Sequence, residues 1–261
     1  MIIIKSDEEI EKMRKAGKVV GDTLNMLQEC VKPGISTLKL DQMAEEYMVK
    51  CNSVPSFKGY QGFPGSLCTS LNYEVVHGIP SEDVILKEGD IISVDCGAIL
   101  NGYQGDAART FPVGKISKAA EDLINVTRDS FFKGVENAIV GNRLTDISAA
   151  VQFYAESKGY SVVREYVGHG IGKDMHEDPE VPNYGRPGRG PKLIHGMVLA
   201  IEPMINIGSY HVSVMNNGWT VATADRSLSG HYENTVAILN NGPEILTLCF
   251  SLRHSPWTYS I

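Results

Sequence analysis

Apolar and small residues recur at steps of three and four near the start of the chain, a pattern that predicts a helix with one buried stripe. Ser6 and Glu9 have the spacing of a capping box, which predicts where this helix begins, and Pro33-Gly34 predicts where it ends. The stripe consists of Ile10, Met13, Gly17, Val20, Leu24, Leu27 and Val31.

The next segments alternate between helical and β patterns. A second helix is predicted at 37–51, and residues 52–70, where glycines alternate with aromatics, predict an ordered loop or short strands that form a pocket wall. The β-rich run 89–98, the turn signal Asn101-Gly102 and the run 103–113 predict a hairpin. The remaining predicted elements are helices at 117–140 and 145–158 and strands at 197–206, 211–215, 219–225 and 231–239.

An internal repeat is visible at an offset of 107 residues. Residues 86–95 match residues 193–202 without a gap, and the matched segments end on Asp95 and Glu202. Coincidence among common apolar residues explains ten aligned positions less well than a duplication does. We therefore predict that a helix, helix, strand unit occurs twice and places an acid at the same point of a strand in each half.

Composition and charge exclude several classes of protein. A hydrophobic content of 43% suits a folded globular chain, and 24 Lys+Arg against 31 Asp+Glu give a net charge of −7, which provides no overall basic field for nucleic acid or an anionic membrane. The five cysteines are scattered, as expected of free thiols in a reducing compartment. The apolar start is too short for a signal peptide, so we expect a cytoplasmic protein.

Carboxylates in apolar strands are the strongest chemical signal. Asp95 lies between Val94 and Cys96, and the predicted hairpin brings Asp106 roughly opposite to it. Two buried carboxylates repel one another unless they share a proton or a cation. Glu202 and Glu233 repeat this arrangement in the second half. Four acids suit a pair of bridged metal ions better than separate Lys or Arg partners for each acid.

Histidines complete the predicted site. His169, between two glycines in GHGIG, is the predicted nitrogen ligand, whereas His77 and His176 lack the spacing of a helical zinc site and suit hydrogen bonding to substrate better. The other histidines (195, 211, 231 and 254) receive no role. The chain lacks a nucleophile elbow, a Walker loop and a dinucleotide-binding glycine loop.

Taken together, these motifs resemble the methionine aminopeptidases, specifically the short bacterial type I form, over about residues 3–248. The motifs that carry the resemblance are NYEVVHGIP at 72–80, Asp95 with Asp106, GHGIG at 168–172, HEDP at 176–179, IEPM at 201–204 and the segment from Trp219 to Glu233. The resemblance implies an α/β (α+β) pita-bread fold, with two pseudo-symmetric halves around a dinuclear metal site. We expect one catalytic domain at 1–248, with halves at about 1–113 and 114–248, and a tail of unknown role at 249–261.

Residue roles follow from the same resemblance. Asp95, Asp106, His169, Glu202 and Glu233 would bind the metal ions, Glu202 would shuttle the proton, and His176 and His77 would contact the carbonyl oxygen and the nitrogen of the first peptide bond. A hydroxide held between the ions would attack that carbonyl. A pocket for the methionine side chain would be formed by Phe57, Tyr60, Phe63, Cys68, Met175 and Trp219, and a monovalent cation would lie near Asn72 and Ser229.

The resemblance also leaves alternatives open. The expected substrates are the N-termini of nascent polypeptides at the ribosome, with a small second residue, and the expected state is a monomer. The ligand set suits Mn(II), Fe(II) or Co(II) and can also take Zn(II). An X-Pro peptidase of the same fold would carry a similar metal set, usually behind a large amino-terminal domain. A binding protein that had lost catalysis would lack ligands, and this chain keeps all five.

Overall fold

Residues 1–248, which the computed structural model describes, contain four α-helices in two pairs. They are α1 (Asp7–Cys30), α2 (Thr37–Lys50), α3 (Lys118–Val135) and α4 (Leu144–Ser157), with one 3₁₀ turn at Tyr60–Gly62. None of these helices is both long enough and apolar enough to cross a membrane. The predicted tail at 249–261 lies outside the described residues.

Helix ends follow local hydrogen bonding. Ser6 caps α1: its hydroxyl accepts from the backbone N–H of Glu9, while the Glu9 carboxylate accepts from the N–H of Ser6.

The prediction of a helix at 117–140 was wrong about the C-terminal end of that helix, because α3 stops at Val135. There the backbone tightens into bonds over three residues, such as Ala138 N–H to the Val135 carbonyl. Ala138 remains buried, so the apolar pattern continues after the helix has ended.

Fifteen strands within the same residues form four small sheets. They are β1 (Val54–Pro55), β2 (Leu67–Leu71), β3 (Glu74–Val76), β4 (Ile91–Leu100), β5 (Tyr103–Pro112), β6 (Ser161–Val162), β7 (Gly168–Gly170), β8 (Glu177–Val181), β9 (Val198–Ile201), β10 (Met204–Asn206), β11 (Val212–Val214), β12 (Val221–Thr223), β13 (Ser229–His231), β14 (Asn234–Leu239) and β15 (Gly242–Ile245). One sheet contains β1, β4 and β2 with β5 paired to β4, and another has the order β15-β14-β9-β7-β8. The smaller sheets are β13-β10-β6 and β11-β12-β3.

Two of the predicted strands are interrupted. The predicted strand 197–206 breaks at residues 202–203, between β9 and β10, and the predicted strand 231–239 breaks at residues 232–233, between β13 and β14. Pro203 has no N–H to donate to a neighbouring strand, which favours the first break. Each break contains one of the predicted ligand glutamates.

The repeat has a structural counterpart in the hydrogen bonds. In the first half Gly34 N–H donates to the Leu86 carbonyl (2.8 Å), and in the second half Gly141 N–H donates to the Leu193 carbonyl (3.0 Å). Helices α2 and α4 have 14 residues each and begin 107 positions apart. The pairs α1/α2 and α3/α4 each pack on the strands of their own half, in separate apolar clusters.

The two halves join where β5 meets the start of β14. Ala108 and Glu233 exchange backbone hydrogen bonds of 3.3 and 2.9 Å. The Thr235 hydroxyl accepts from the N–H of Asp106 (3.0 Å) and donates to the Asp106 carbonyl (2.9 Å). These bonds hold the carboxylates of both halves in one place.

We expect Gly17→Ala to lower the free energy of unfolding by about 1–3 kcal/mol, because α1 lies directly on backbone at this position. A Cβ on Gly17 would lie 2.4 Å from the Leu246 carbonyl oxygen, and a Cβ on Gly105 of β5 would lie 2.8 Å from the Gly17 nitrogen. Denaturant unfolding measures the effect, with Lys15→Ala on the exposed side of α1 as the control. Equal stability of Gly17→Ala and the wild type would contradict the prediction.

Candidate metal centre and substrate pocket

The five predicted ligands come from five segments and converge at the junction of the halves. Asp95 lies in β4, Asp106 in β5 and His169 in β7, while Glu202 follows β9 and Glu233 precedes β14. In the register of β4 and β5, Asp106 pairs with Gly97 and Asp95 with Ala108. The two aspartates are therefore diagonal neighbours on one face of the hairpin, rather than directly opposite.

Glu233 belongs to two groups of ligand-type side chains, in each of which the ligand atoms lie within 4.8 Å of one another. The groups are Asp106 with His169 and Glu233, and Asp95 with His231 and Glu233. Glu202 lies beside both, since its Oε1 is 3.6 Å from Nε2 of His169 and its Oε2 is 4.0 Å from Nε2 of His231. Two adjacent groups of ligand-type side chains therefore share Glu233.

The donor set fits divalent cations. Asp95 Oδ1, Asp106 Oδ1 and Glu233 Oε1 are buried and have no hydrogen-bond partner in the described part of the chain. Within residues 1–248, the ion-pair partners of Asp106, Glu202 and Glu233 are imidazoles rather than Lys or Arg side chains. Arg109 is close, but its guanidinium donates to the backbone carbonyl of Glu233. Unpaired buried oxygens on several acids are expected where a cation supplies the missing charge.

Burial and mutual repulsion shift the pKa of all four carboxyls upward in the metal-free protein. Burial raises the pKa of Asp95 to about 7. Burial, followed by the charges of neighbouring carboxylates, raises the pKa of Asp106, Glu202 and Glu233 well above the usual range. These acids therefore need a cation to ionise together at neutral pH.

His169 is oriented as a neutral ligand. Its Nδ1 donates to the Gly170 carbonyl (2.9 Å), which leaves the lone pair of Nε2 facing the carboxylates. Burial lowers the pKa of His169 to about 4, and the charge of His176 acts in the same direction. The imidazole is therefore unprotonated and able to bind metal at neutral pH.

For the metal-free protein we expect the melting temperature to fall between about pH 6.5 and pH 8. The four carboxyls have raised pKa values in the folded chain, so the folded state binds more protons than the unfolded state, where their pKa is about 4. The stability that a carboxyl with a raised pKa contributes is lost as the pH rises through its pKa in the folded state. The histidines of the site have lowered pKa values in the folded chain, so their contribution to stability increases with pH. That increase is complete at about pH 6.5, the pKa of histidine in the unfolded chain.

Thermal melts in chelator at the two pH values measure this fall. Asp106→Asn, which removes one titrating carboxyl, reduces it. A melting temperature that stays constant or rises toward pH 8 in the wild type would contradict the prediction.

The two predicted substrate-contacting histidines lie beside this cluster. The rings of His169 and His176 are 4.3 Å apart, and His176 Nδ1 is 2.7 Å from the Tyr60 hydroxyl. His77 follows β3 in a left-handed conformation (φ 60°), with its ring edge-on to Tyr166. Burial lowers the pKa of His77 and of His176, so both are neutral donors.

Each of the six predicted pocket residues is placed by a contact with another of them, by the loop 57–63, or by its position next to β4. Phe57 and Met175 both lie against Gly97, where a Cβ would be 2.8 Å from Phe57 Cε1 and 3.1 Å from Met175 Cε. Backbone bonds within 57–63 hold Phe57, Tyr60 and Phe63 on one loop, and the Phe63 and Trp219 rings meet edge-on at 5.2 Å. Cys68 of β2 pairs with Asp95 and is buried.

His231 is the residue that sequence reasoning missed. It was given no role, yet it is 1% exposed and its Nε2 lies 3.7 Å from Glu233 Oε2. Its position two residues before Glu233 is a signal that could have been followed. His195 and His211 lie elsewhere: His195 contacts Asp7 at the surface, and His211 is exposed.

Asn72 and Ser229, the predicted neighbours of a monovalent cation, lie together. The Ser229 N–H donates to the Asn72 carbonyl (2.9 Å), and Asn72 adopts a left-handed conformation (φ 53°). The Ser229 hydroxyl is buried and has no hydrogen-bond partner from residues 1 to 248. An oxygen that a cation could use is therefore present at this position.

The chain is similar to known metallopeptidases along most of its length. The model of metallopeptidase family M24 matches residues 11–240. The methionine aminopeptidase of Clostridium acetobutylicum is 71% identical over 249 residues, which cover 95% of this chain and all of that protein. The crystal structure of the methionine aminopeptidase from Thermotoga maritima is 46% identical, with a TM-score of 0.94 over 95% of this chain and 100% of that one.

An X-Pro peptidase shares the fold at lower similarity. The Xaa-Pro dipeptidase of Bacillus anthracis is 24% identical, with a TM-score of 0.73 over 94% of this chain but only 61% of that one. At this identity the similarity concerns the fold alone.

Proposed function

Because the chain belongs to the methionine aminopeptidases of metallopeptidase family M24, a family of hydrolases, we propose that its buried cluster binds two divalent metal ions. The proposed ligands are Asp95, Asp106, His169, Glu202 and Glu233. The reaction is the removal of the N-terminal methionine from polypeptides. The observation that carries the proposal is that Glu233 is shared between two groups of ligand atoms, several of which have no hydrogen-bond partner among the described residues.

The chain's own residues would orient the substrate and move the proton. Two divalent ions, when bound, would supply the positive charge that activates water and stabilises negative charge on the peptide oxygen. Glu202, which is the less buried of the two glutamates, would accept a proton and return it to the leaving amine. His176 would donate to the peptide carbonyl oxygen, and His77 would contact the scissile nitrogen.

The loop 57–63 and its neighbours would hold the methionine side chain. An apolar pocket with aromatic walls and sulfur atoms suits a thioether. Burial and the nearby carboxylates raise the pKa of Cys68, which keeps it a neutral thiol in such a wall. We expect a small second residue in the substrate.

We also propose which metal ions, substrates and oligomeric state belong to this enzyme. With carboxylates and imidazole as ligands, the ions would be Mn(II), Fe(II) or Co(II), and Zn(II) would also bind. A monovalent cation would lie at the Ser229 hydroxyl near Asn72. The substrates would be nascent polypeptides at the ribosome, and the enzyme would act as a cytoplasmic monomer.

The test is hydrolysis of Met-Ala-Ser, Met-Lys-Ser and Ala-Pro-Ser peptides by metal-stripped protein, with Mn(II), Fe(II) or Co(II) added back. Release of methionine from Met-Ala-Ser alone, lost in Asp106→Asn and His169→Ala, would support the proposal. Cleavage of only Ala-Pro-Ser would indicate X-Pro specificity, and no turnover with any metal would favour a binding protein without catalysis.

A further inference from the structure

His231 carries a buried imidazole nitrogen that no group within residues 1–248 satisfies. The residue is 1% exposed, and its Nε2 has no hydrogen-bond partner in this part of the chain. The nearest carboxylate oxygens, Glu233 Oε2 at 3.7 Å and Glu202 Oε2 at 4.0 Å, are too distant for hydrogen bonds. Because a buried polar nitrogen without a partner is unfavourable, a bound ligand at this point is indicated.

The separations from His231 suit a shared metal ion. Nitrogen and oxygen ligands lie about 2.1 Å from a divalent ion, so two ligands of one ion are at most about 4.2 Å apart. Both distances from His231 Nε2 fall below this limit. The corresponding distances from His169 Nε2, 4.0 Å to Asp106 Oδ2 and 3.6 Å to Glu202 Oε1, fall below it as well.

The two imidazoles occupy matching positions in the cluster. His169 lies beside one oxygen of Glu202 and His231 beside the other. Each also belongs to its own group of ligand atoms, and Glu233 is common to both groups. The carboxylates alone do not distinguish the two cation sites, but the imidazoles place one nitrogen at each.

We propose that His231 Nε2 is a ligand of the metal ion held by Asp95 and Glu233, so that each of the two ions has one imidazole ligand. The inference rests on the dinuclear site proposed above and adds a sixth residue to the five ligands implied by the family resemblance. Imidazole favours Co(II) and Zn(II) over Mn(II) more strongly than an oxygen ligand does. His231 therefore biases its own site toward these metals.

Co(II) binding to metal-free protein provides the test, because calorimetry resolves the binding events and the visible spectrum reports the ligands. We expect His231→Gln to weaken one of two binding events about 10- to 100-fold and to change the spectrum of that event. His169→Gln should weaken the other event. His211→Gln, which removes an exposed imidazole, should match the wild type.

Two unchanged affinities and an unchanged spectrum in His231→Gln would overturn the inference. If the wild type itself bound no Co(II) or released no methionine, the proposed function would fail instead, so the two failures are distinguishable. Melting of the metal-free variants checks that each one is folded.

A second measurement needs no variant. In proton NMR of the Co(II)-loaded wild type, each metal-bound imidazole gives a strongly shifted, solvent-exchangeable resonance from its other ring nitrogen. His169, whose Nδ1–H donates to the Gly170 carbonyl, accounts for one such resonance. We expect a second from His231, and a single resonance in the fully loaded protein would overturn the inference.

Discussion

Asp106→Asn lowers kcat/KM for methionine release from Met-Ala-Ser by roughly 10³-fold, because the cation site loses several kcal/mol of electrostatic interaction. The asparagine has nearly the same shape, and the Thr235 hydroxyl, bonded to both backbone groups of residue 106, keeps it in place. In the metal-free protein the same change is stabilising. It removes a buried acid, 4% exposed, that repels Asp95 and Glu233.

The prediction is specific because Asp106→Asn should lower the activity but raise the stability of the metal-free protein. Calorimetric titration with Co(II), melting in chelator and peptide hydrolysis together measure it. Asp41→Asn is the matched control, because Asp41 is also a buried aspartate but accepts hydrogen bonds from the N–H groups of Ser66 and Leu67. That variant should keep its metal binding and its activity per folded molecule. More than a tenth of wild-type activity in Asp106→Asn would contradict the role proposed for Asp106.

Local sequence signals predicted those parts of the fold that local physics determines. The capping box at Ser6 and the Asn101-Gly102 turn each act over a few residues, and both are found where they were predicted. The duplication predicted from the 107-residue offset agrees with the paired hydrogen bonds of Gly34 and Gly141. The predicted α/β pita-bread class is confirmed by the match to the Thermotoga maritima structure.

The site itself depends on contacts between distant segments, which a pattern along the chain does not contain. The breaks at 202–203 and 232–233 lie within apolar runs that alone predict continuous strands. His231 was overlooked for the same reason, because its environment is created by Glu202 and by Asp95 of the other half. The short strand β7 has only three residues, two of them glycine, and exists through its pairing with β8 and β9.

His176→Ala lowers kcat by roughly 10²- to 10³-fold while leaving both Co(II) affinities unchanged. His176 lies beside the proposed ligand His169, with 4.3 Å between the ring centroids, but it is absent from both groups of ligand-type atoms. Its neutral imidazole is bonded through Nδ1 to the Tyr60 hydroxyl. When that hydroxyl donates, the proton remains on Nε2, which is free to donate to the peptide carbonyl as negative charge develops there.

Tyr60→Phe and His176→Gln separate this role from simple packing. Without the hydroxyl, the imidazole keeps its position but loses the bond that selects its tautomer, so we expect a smaller fall in kcat, about tenfold. The glutamine retains an N–H donor and should recover part of the activity lost in His176→Ala. Steady-state kinetics on Met-Ala-Ser measure kcat and KM separately, with His211→Ala as the exposed control. Because the donor acts on charge that forms during the reaction, the loss should fall on kcat rather than KM. A loss confined to KM, or a loss of bound Co(II), would instead place His176 in substrate binding or in the metal site.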